Sequence, residues 1–282
     1  MNAEVLSLTA ELRDELATSQ RRKLVDPCDV PVRFSTLKAF SLSPLHYWQA
    51  CQDDREETLS MRLGSGADAI LFGKPIAVWN QPAKKGAGRA PRNGAAWDAF
   101  RAEHDGQVIL SANERRQAEA LAAAIRANAT AARVLFENTT IEQRIDWTWN
   151  GRAYRSTPDA RGVRHIADLK CLRSAEPRRV TWQSQAMHYH AQAALYRRAI
   201  GESLNVSIDE CYLVVVENKE PYPVTVLRFT EGALTDGDWL CVLWDEQRRR
   251  CEESRTWDGY ATDVVELDLP FRSRWGGEEG DL

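Results

Sequence analysis

The spacing of apolar positions changes character once along this chain. Over residues 3 to 25, Val5, Leu6, Leu8, Leu12 and Leu16 recur at helical spacing. "DPCDVP" interrupts that pattern. "RFSTLKAFSLSPLHYWQACQ" predicts two short helices, the second opened by Ser43 with Pro44 at the first helical position. A further helix is expected over 56 to 72, ending at Gly73-Lys74-Pro75. Residues 74 to 94 are rich in Gly, Pro, Ala and basic side chains, which predicts a mobile loop. Ser111 and Glu114 form a capping box before an alanine-rich helix, and a short helix follows to about Phe136.

The period then falls to two. Ile141, Gln143, Ile145, Trp147 and Trp149 alternate with Glu142, Arg144, Asp146 and Thr148, as in a strand with two unlike faces. Asn150-Gly151 is a hairpin turn signal, "RAYRSTPDA" reads as the return strand, and Arg161-Gly162 marks a second turn into "VRHIADLKC". These predict three antiparallel strands. Residues 181 to 200 predict a helix stopped by Gly201. "ECYLVVVENK" and "PVTVLRFT" predict a second hairpin, and 231 to 254 a final helix. The fold class is therefore α+β or mixed α/β with an N-terminal helical part. We expect one domain over 1–282: a mainly helical part over 1–135 that includes the basic loop 74–94, a sheet core over 136–270, and a loose acidic tail at 276–282.

Composition narrows this picture modestly. With 282 residues, 43% hydrophobic and 28% charged, the chain can bury a full core. No apolar run approaches the roughly 18 residues of a membrane helix, and the polar N-terminus lacks a signal-peptide core, so no membrane partner is expected. The six cysteines form no C-x-x-C pair, which argues for reduced thiols, a cytoplasmic location and no zinc ribbon. A net charge of −4 does not advertise nucleic-acid binding, but charge is uneven. Between Lys74 and Trp97 lie Lys74, Lys84, Lys85, Arg89 and Arg92 with no acidic residue. This segment is a candidate lip for phosphates, or simply a solubilising loop.

The chemistry concentrates in "YRSTPDARGVRHIADLK". Asp168 and Lys170 are two apart on a strand and share a face. If the strands pair through the Arg161-Gly162 turn, Asp159 approaches Asp168. Carboxylates held together repel, and a divalent cation is the natural neutraliser; oxygen donors of this kind suit Mg²⁺ or Mn²⁺. A lysine beside them suits phosphoryl chemistry. An Asp-x-Lys on a strand is also often a solvated face. Tyr189, Gln192 and Tyr196 then fall on one face of the following helix, as a core stripe or as part of the same site.

Taken together, Asp159, Asp168-x-Lys170 and Gln192-x-x-x-Tyr196 resemble the PD-(D/E)xK nucleases of the RecB-like branch, closest to RecE or exonuclease VIII-type phage exonucleases. "FSTLKAFSLSPLHY", "LGSGADAILF", "NGAAWDAFRAEHDGQVILSANE" and "YHAQAALY" resemble further segments of that family, in order, from about residue 33 to 230. The resemblance implies a restriction-endonuclease-like core with a mixed central sheet flanked by helices. It implies a Mg²⁺- or Mn²⁺-dependent exonuclease on double-stranded DNA ends, 5′ to 3′, working in phage-type recombination with a single-strand annealing protein and as a homo-oligomeric ring. By position, Asp159, Asp168 and the Leu169 carbonyl would ligate metal, and Lys170 would orient water. Glu142 would serve a second metal or the water network, unless it is a surface ion pair. Gln192 and Tyr196 would position the scissile strand or brace Lys170. Lys84, Lys85, Arg89 and Arg92 would contact DNA.

Two positions depart from the pattern. The family's helix histidine aligns with Asp68, which becomes a metal ligand or an exposed helix carboxylate. Cys171 stands where threonine is usual. The cysteine spacing does not match the branch that carries an iron–sulfur cluster, so none is expected. Two alternatives stay open: a helicase-associated or CRISPR-adaptation-type nuclease of the same fold, and a catalytically inactive DNA- or protein-binding member.

Overall fold

Short helices come first, as the apolar spacing suggests. The computed structural model describes residues 25–52, 57–80, 91–261 and 263–267. The helix expected over 3 to 25 falls almost wholly outside these residues, as does the acidic tail. Helix α1 spans Phe34–Leu37, α2 Pro44–Cys51 and α3 Leu59–Phe72. Ser43 caps α2 by accepting from the His46 backbone N–H. Strand β1 (Ile76–Val78) pairs in parallel with β2 (Val108–Leu110), and α4 (Ala95–Glu103) lies between them in sequence. Part of the expected 74–94 loop is therefore strand. Its partner is remote in sequence, so local composition could not announce it. The capping box forms as expected at α5 (Ala112–Ala127), with Ser111 and Glu114 exchanging hydrogen bonds. Helix α6 (Ala129–Phe136) follows.

The remaining elements are β3 (Thr140–Ile141), β4 (Ile145–Trp149), β5 (Arg152–Ser156), β6 (Ala160–Arg161), β7 (His165–Leu172), α7 (Pro177–Met187), α8 (Tyr189–Leu204), β8 (Glu210–Glu217), β9 (Val224–Arg228) and α9 (Glu231–Ser254). The main sheet has the order β3-β6-β7-β8-β9. Only β7 and β8 are parallel, so the sheet is mixed. That pair needs a long crossover, which α7 and α8 supply.

Two expectations need correction. The three successive antiparallel strands are not one sheet. β4 and β5 form a separate hairpin, and only β6 pairs with β7. The alternation seen from Ile141 is broken by Glu142, whose φ is +46°. Beyond it, Ile145, Trp147, Trp149 and Tyr154 turn away from the main sheet and bury with Leu195, Ile200 and Trp244. The single helix expected over 181 to 200 is two helices broken at His188, where φ is +60°. Gly201 does not stop α8, which runs on to a left-handed Asn205 cap.

Helices cover both faces of the sheet. Ala167, Val214 and Val216 pack with Leu63, Leu121, Ile125 and Val134 of α3, α5 and α6. Leu213 and Val215 face Val180 and Tyr189 of α7 and α8. α8 lies close on α9: a Cβ at Gly237 would sit 2.6 Å from the His190 carbonyl oxygen. A buried ionic cluster ties α9 to the β4–β5 hairpin. Asp245 accepts from Tyr154 Oη (2.5 Å), Asn150 Nδ2 (2.7 Å) and Arg248 Nε (2.8 Å). Asp245 and Arg248 are each 1% exposed. Removing one member strands a buried charge, so Asp245→Ala is expected to cost roughly 3–5 kcal/mol of unfolding free energy. Denaturant titration measures this, and a loss below about 1 kcal/mol would show that the cluster holds nothing together.

Candidate active site

The ladder joining β3, β6 and β7 ends in three acidic residues. Ile141 pairs with Ala160, and Ala160 with Ala167. Glu142, Asp159 and Asp168 stand at the next position on their three segments, and the Glu142 N–H donates to the Asp159 carbonyl at 3.0 Å. Side chains opposite one another across strands lie about 5 Å apart, so the register itself gathers the carboxylates. The left-handed backbone at Glu142 ends the strand there, a conformation that a non-glycine residue adopts at some cost. Asp68 arrives from α3. Asp68, Glu142 and Asp159 each offer a carboxylate oxygen, and these atoms lie within 4.8 Å of one another.

Asp68, Asp159, Asp168, Leu169, Lys170 and Gln192 line a cavity of about 210 Å³. Asp159 Oδ2 accepts from the Leu169 backbone N–H at 2.6 Å. Lys170 Nζ pairs with Asp168 Oδ2 and lies 5.3 Å from the centre of the Tyr189 ring. Gln192 Nε2 donates to Asp168 Oδ1 at 3.2 Å and to Tyr196 Oη at 3.0 Å. The glutamine thus braces Asp168, and the helical stripe of Tyr189, Gln192 and Tyr196 backs the site.

Burial and then the Asp168 charge push the Asp159 carboxyl up to about 8. Burial also raises Asp68, against the pull of Lys74. For Lys170, burial works against the ammonium, but Asp168 and Asp159 outweigh it and raise its pKa. Carboxylates crowded out of water in this way are the setting that a cation relieves. The donors are all oxygen, which fits Mg²⁺ or Mn²⁺. Asp159, Asp168 and Asp68 would hold such an ion, with Glu142 beside them.

The sequence placed Asp159, Asp168, Lys170, Gln192 and Tyr196 together, and they meet here. Asp68 and Glu142 also reach the cluster. Of the expected DNA contacts, Lys84, Lys85 and Arg89 lie outside the described residues. Arg92 donates to Glu114 at 2.6 Å and to the Ile109 carbonyl at 3.2 Å. It ties the end of the basic segment to α5.

Two features escaped sequence reasoning. Lys74 Nζ lies 2.5 Å from Asp68 Oδ2 and also pairs with Glu142. It was legible only as one more basic residue. A second cleft, of about 920 Å³, adjoins the first and shares Lys170 and Gln192 with it; Arg33, Lys38 and Arg155 supply its positive charge. Arg33 and Lys38 flank α1 and Arg155 lies on β5, remote in sequence, so no local motif joins the three.

Residues 33–239 match the family model described as a PDDEXK-like domain of unknown function (DUF3799). The chain belongs to this family. No curated protein matches it in sequence. Among solved structures, it is similar to a candidate exonuclease from Eubacterium rectale, with a TM-score of 0.59 at 12% identity over 88% of this chain and 94% of that one. The alkaline exonuclease LHK-Exo from Laribacter hongkongensis also aligns, with a TM-score of 0.30 at 15% identity over 70% of this chain and 94% of that one. The family match and the Eubacterium rectale structure together show a PDDEXK-like fold.

The raised Asp159 carboxyl has a direct consequence for stability. A group raised in the folded state contributes stability below its unfolded value of 3.8, and that contribution is lost as pH rises through about 8. Asp159→Asn removes the charge. The melting temperature of the metal-free variant should therefore exceed that of the wild type by a margin that grows between pH 4 and pH 8. Calorimetry that finds the same margin at both ends of this window would refute the crowding described here.

Proposed function

We propose that this chain is a divalent-metal-dependent exodeoxyribonuclease that hydrolyses linear double-stranded DNA from its ends. The observation that carries this reading is the convergence of Asp159, Asp168 and Lys170 on one small cavity that opens beside a basic cleft. The bound ion would supply Lewis acidity toward the phosphate and its attacking water. Asp159 and Asp168 would hold that ion. Lys170, kept charged by both carboxylates, would orient the water and offset charge gathering on the phosphate oxygens. Gln192 would keep Asp168 turned toward the cavity. Arg33, Lys38 and Arg155 would hold backbone phosphates along the cleft, contacts that carry no base sequence.

Digestion from 5′ to 3′, a place in phage-type recombination, a single-strand annealing partner and a ring of copies form part of the same proposal and are supported by the resemblance in sequence; a cytoplasmic setting is supported by the cysteine spacing. The inactive-member reading is favoured by one observation, the ion pairs that Lys74 makes with Asp68 and Glu142 inside the acidic cluster.

Linear and closed circular duplexes with 5′ or 3′ label, in Mg²⁺ or EDTA, test the proposal. The linear DNA should be degraded in Mg²⁺ only, with 5′ label released first, and the circle should survive. Asp168→Ala should abolish release, and Lys170→Met should slow it by roughly 10²–10³-fold. Full digestion by Asp168→Ala would remove this site from the chemistry. In filter binding with Ca²⁺, Arg33→Ala should lower the slope of log affinity against log salt by about 1, as expected for one lost phosphate contact.

A further inference from the structure

Lys74 is held in a way that an ordinary surface lysine is not. Helix α3 ends at Gly73, whose φ is +71°, and the Lys74 N–H donates to the Ala69 carbonyl at 2.8 Å. This left-handed turn swings the chain back beside the last turns of α3. From Ile76 onward the backbone is fixed by pairing with β2. The ammonium is thus delivered from an anchored backbone, between carboxylates from two different elements. Asp68 comes from α3, and Glu142 comes from the left-handed residue that follows β3.

Charge bookkeeping sharpens the meaning of this contact. Asp68, Glu142, Asp159 and Asp168 carry four negative charges when ionised, and Lys74 and Lys170 carry two positive ones. Two negative charges remain, the amount that one divalent cation neutralises. The residue pairing divides in the same manner. Lys170 attends Asp168, Lys74 attends Asp68 and Glu142, and Asp159 has the Leu169 N–H as its partner. Glu142 is the carboxylate that the family resemblance gives to a second ion or to the water network, and its oxygen Oε1 is engaged by an ammonium.

We propose that Lys74 is a built-in cation that takes the place of a second divalent ion, so that this centre binds one ion per chain. It is a positioning residue: it holds Asp68 and Glu142 and supplies fixed positive charge where another metal would otherwise sit. The inference rests on the metal-dependent reading above, and a binding measurement tests it without any turnover.

Calorimetric titration of the full chain with Mn²⁺, together with counting of bound Mn²⁺ by electron paramagnetic resonance, decides the matter. Wild type should bind one Mn²⁺ per chain. Lys74→Met, with a circular dichroism spectrum like wild type, should bind two, and Lys74→Met/Glu142→Gln should return to one. Lys74→Arg keeps the charge and should stay at one; it serves as the comparison if Lys74→Met folds poorly. Two ions in wild type, or one ion in folded Lys74→Met, overturns the role of Lys74 and leaves the nuclease reading intact. No Mn²⁺ bound by wild type overturns both.

Discussion

Like charges crowded where the β3–β6–β7 ladder stops are the constraint around which this protein is arranged. Glu142, Asp159 and Asp168 share one ladder position, and Asp68 is brought against them by a helix. Burial raises the cost of ionising these carboxylates and their neighbours add to it, as the elevated Asp159 and Asp68 show. The protein offsets this internally with two ammoniums and one backbone N–H. The negative charge left over is what a divalent cation would neutralise.

Such an arrangement survives only on a stiff support. The β7–β8 pairing runs through the core with helices on both faces, and this fixes Asp168 and Lys170 to backbone that cannot shift. Gln192 is rigid for a different reason. α8 is pressed against α9 at Gly237, where a side chain would strike the His190 carbonyl oxygen, and α9 is locked to the hairpin by the buried Asp245–Arg248 cluster. Residues outside the acidic cavity therefore help set the position of the glutamine that braces Asp168. The hairpin also carries Arg155 into the neighbouring cleft, so one packing arrangement orders both the acidic cavity and the basic surface beside it.

Much of the site could be read from short-range pattern. Asp168 and Lys170 share a face because strand side chains alternate, and Asp159 approaches because Arg161-Gly162 makes a tight turn; both facts depend on neighbours in sequence. Tyr189, Gln192 and Tyr196 follow from helical spacing in the same way. The errors have one source. Ile76–Val78 was invisible as a strand because its partner lies beyond an intervening helix. The β4–β5 hairpin was assigned to the main sheet because alternation reports two faces but not which surface each one meets. His188 breaks the crossover into two helices with no glycine or proline to mark the place.

The sequence by itself determined the mixed α/β class, the order of elements in the second half, and the Asp159, Asp168, Lys170, Gln192 and Tyr196 constellation. The class, the element order and the Asp159, Asp168 and Lys170 grouping rest on periodicity and turn chemistry, which act over a few residues, and Gln192 and Tyr196 join them through the family resemblance. Only the tertiary structure decided that Asp68 and Glu142 join the cluster, that Lys74 lies between them, and that Arg33, Lys38 and Arg155 line one cleft. These meetings depend on how helices seat against the sheet. That seating is fixed by the burial of whole faces, which no local spacing of residues encodes.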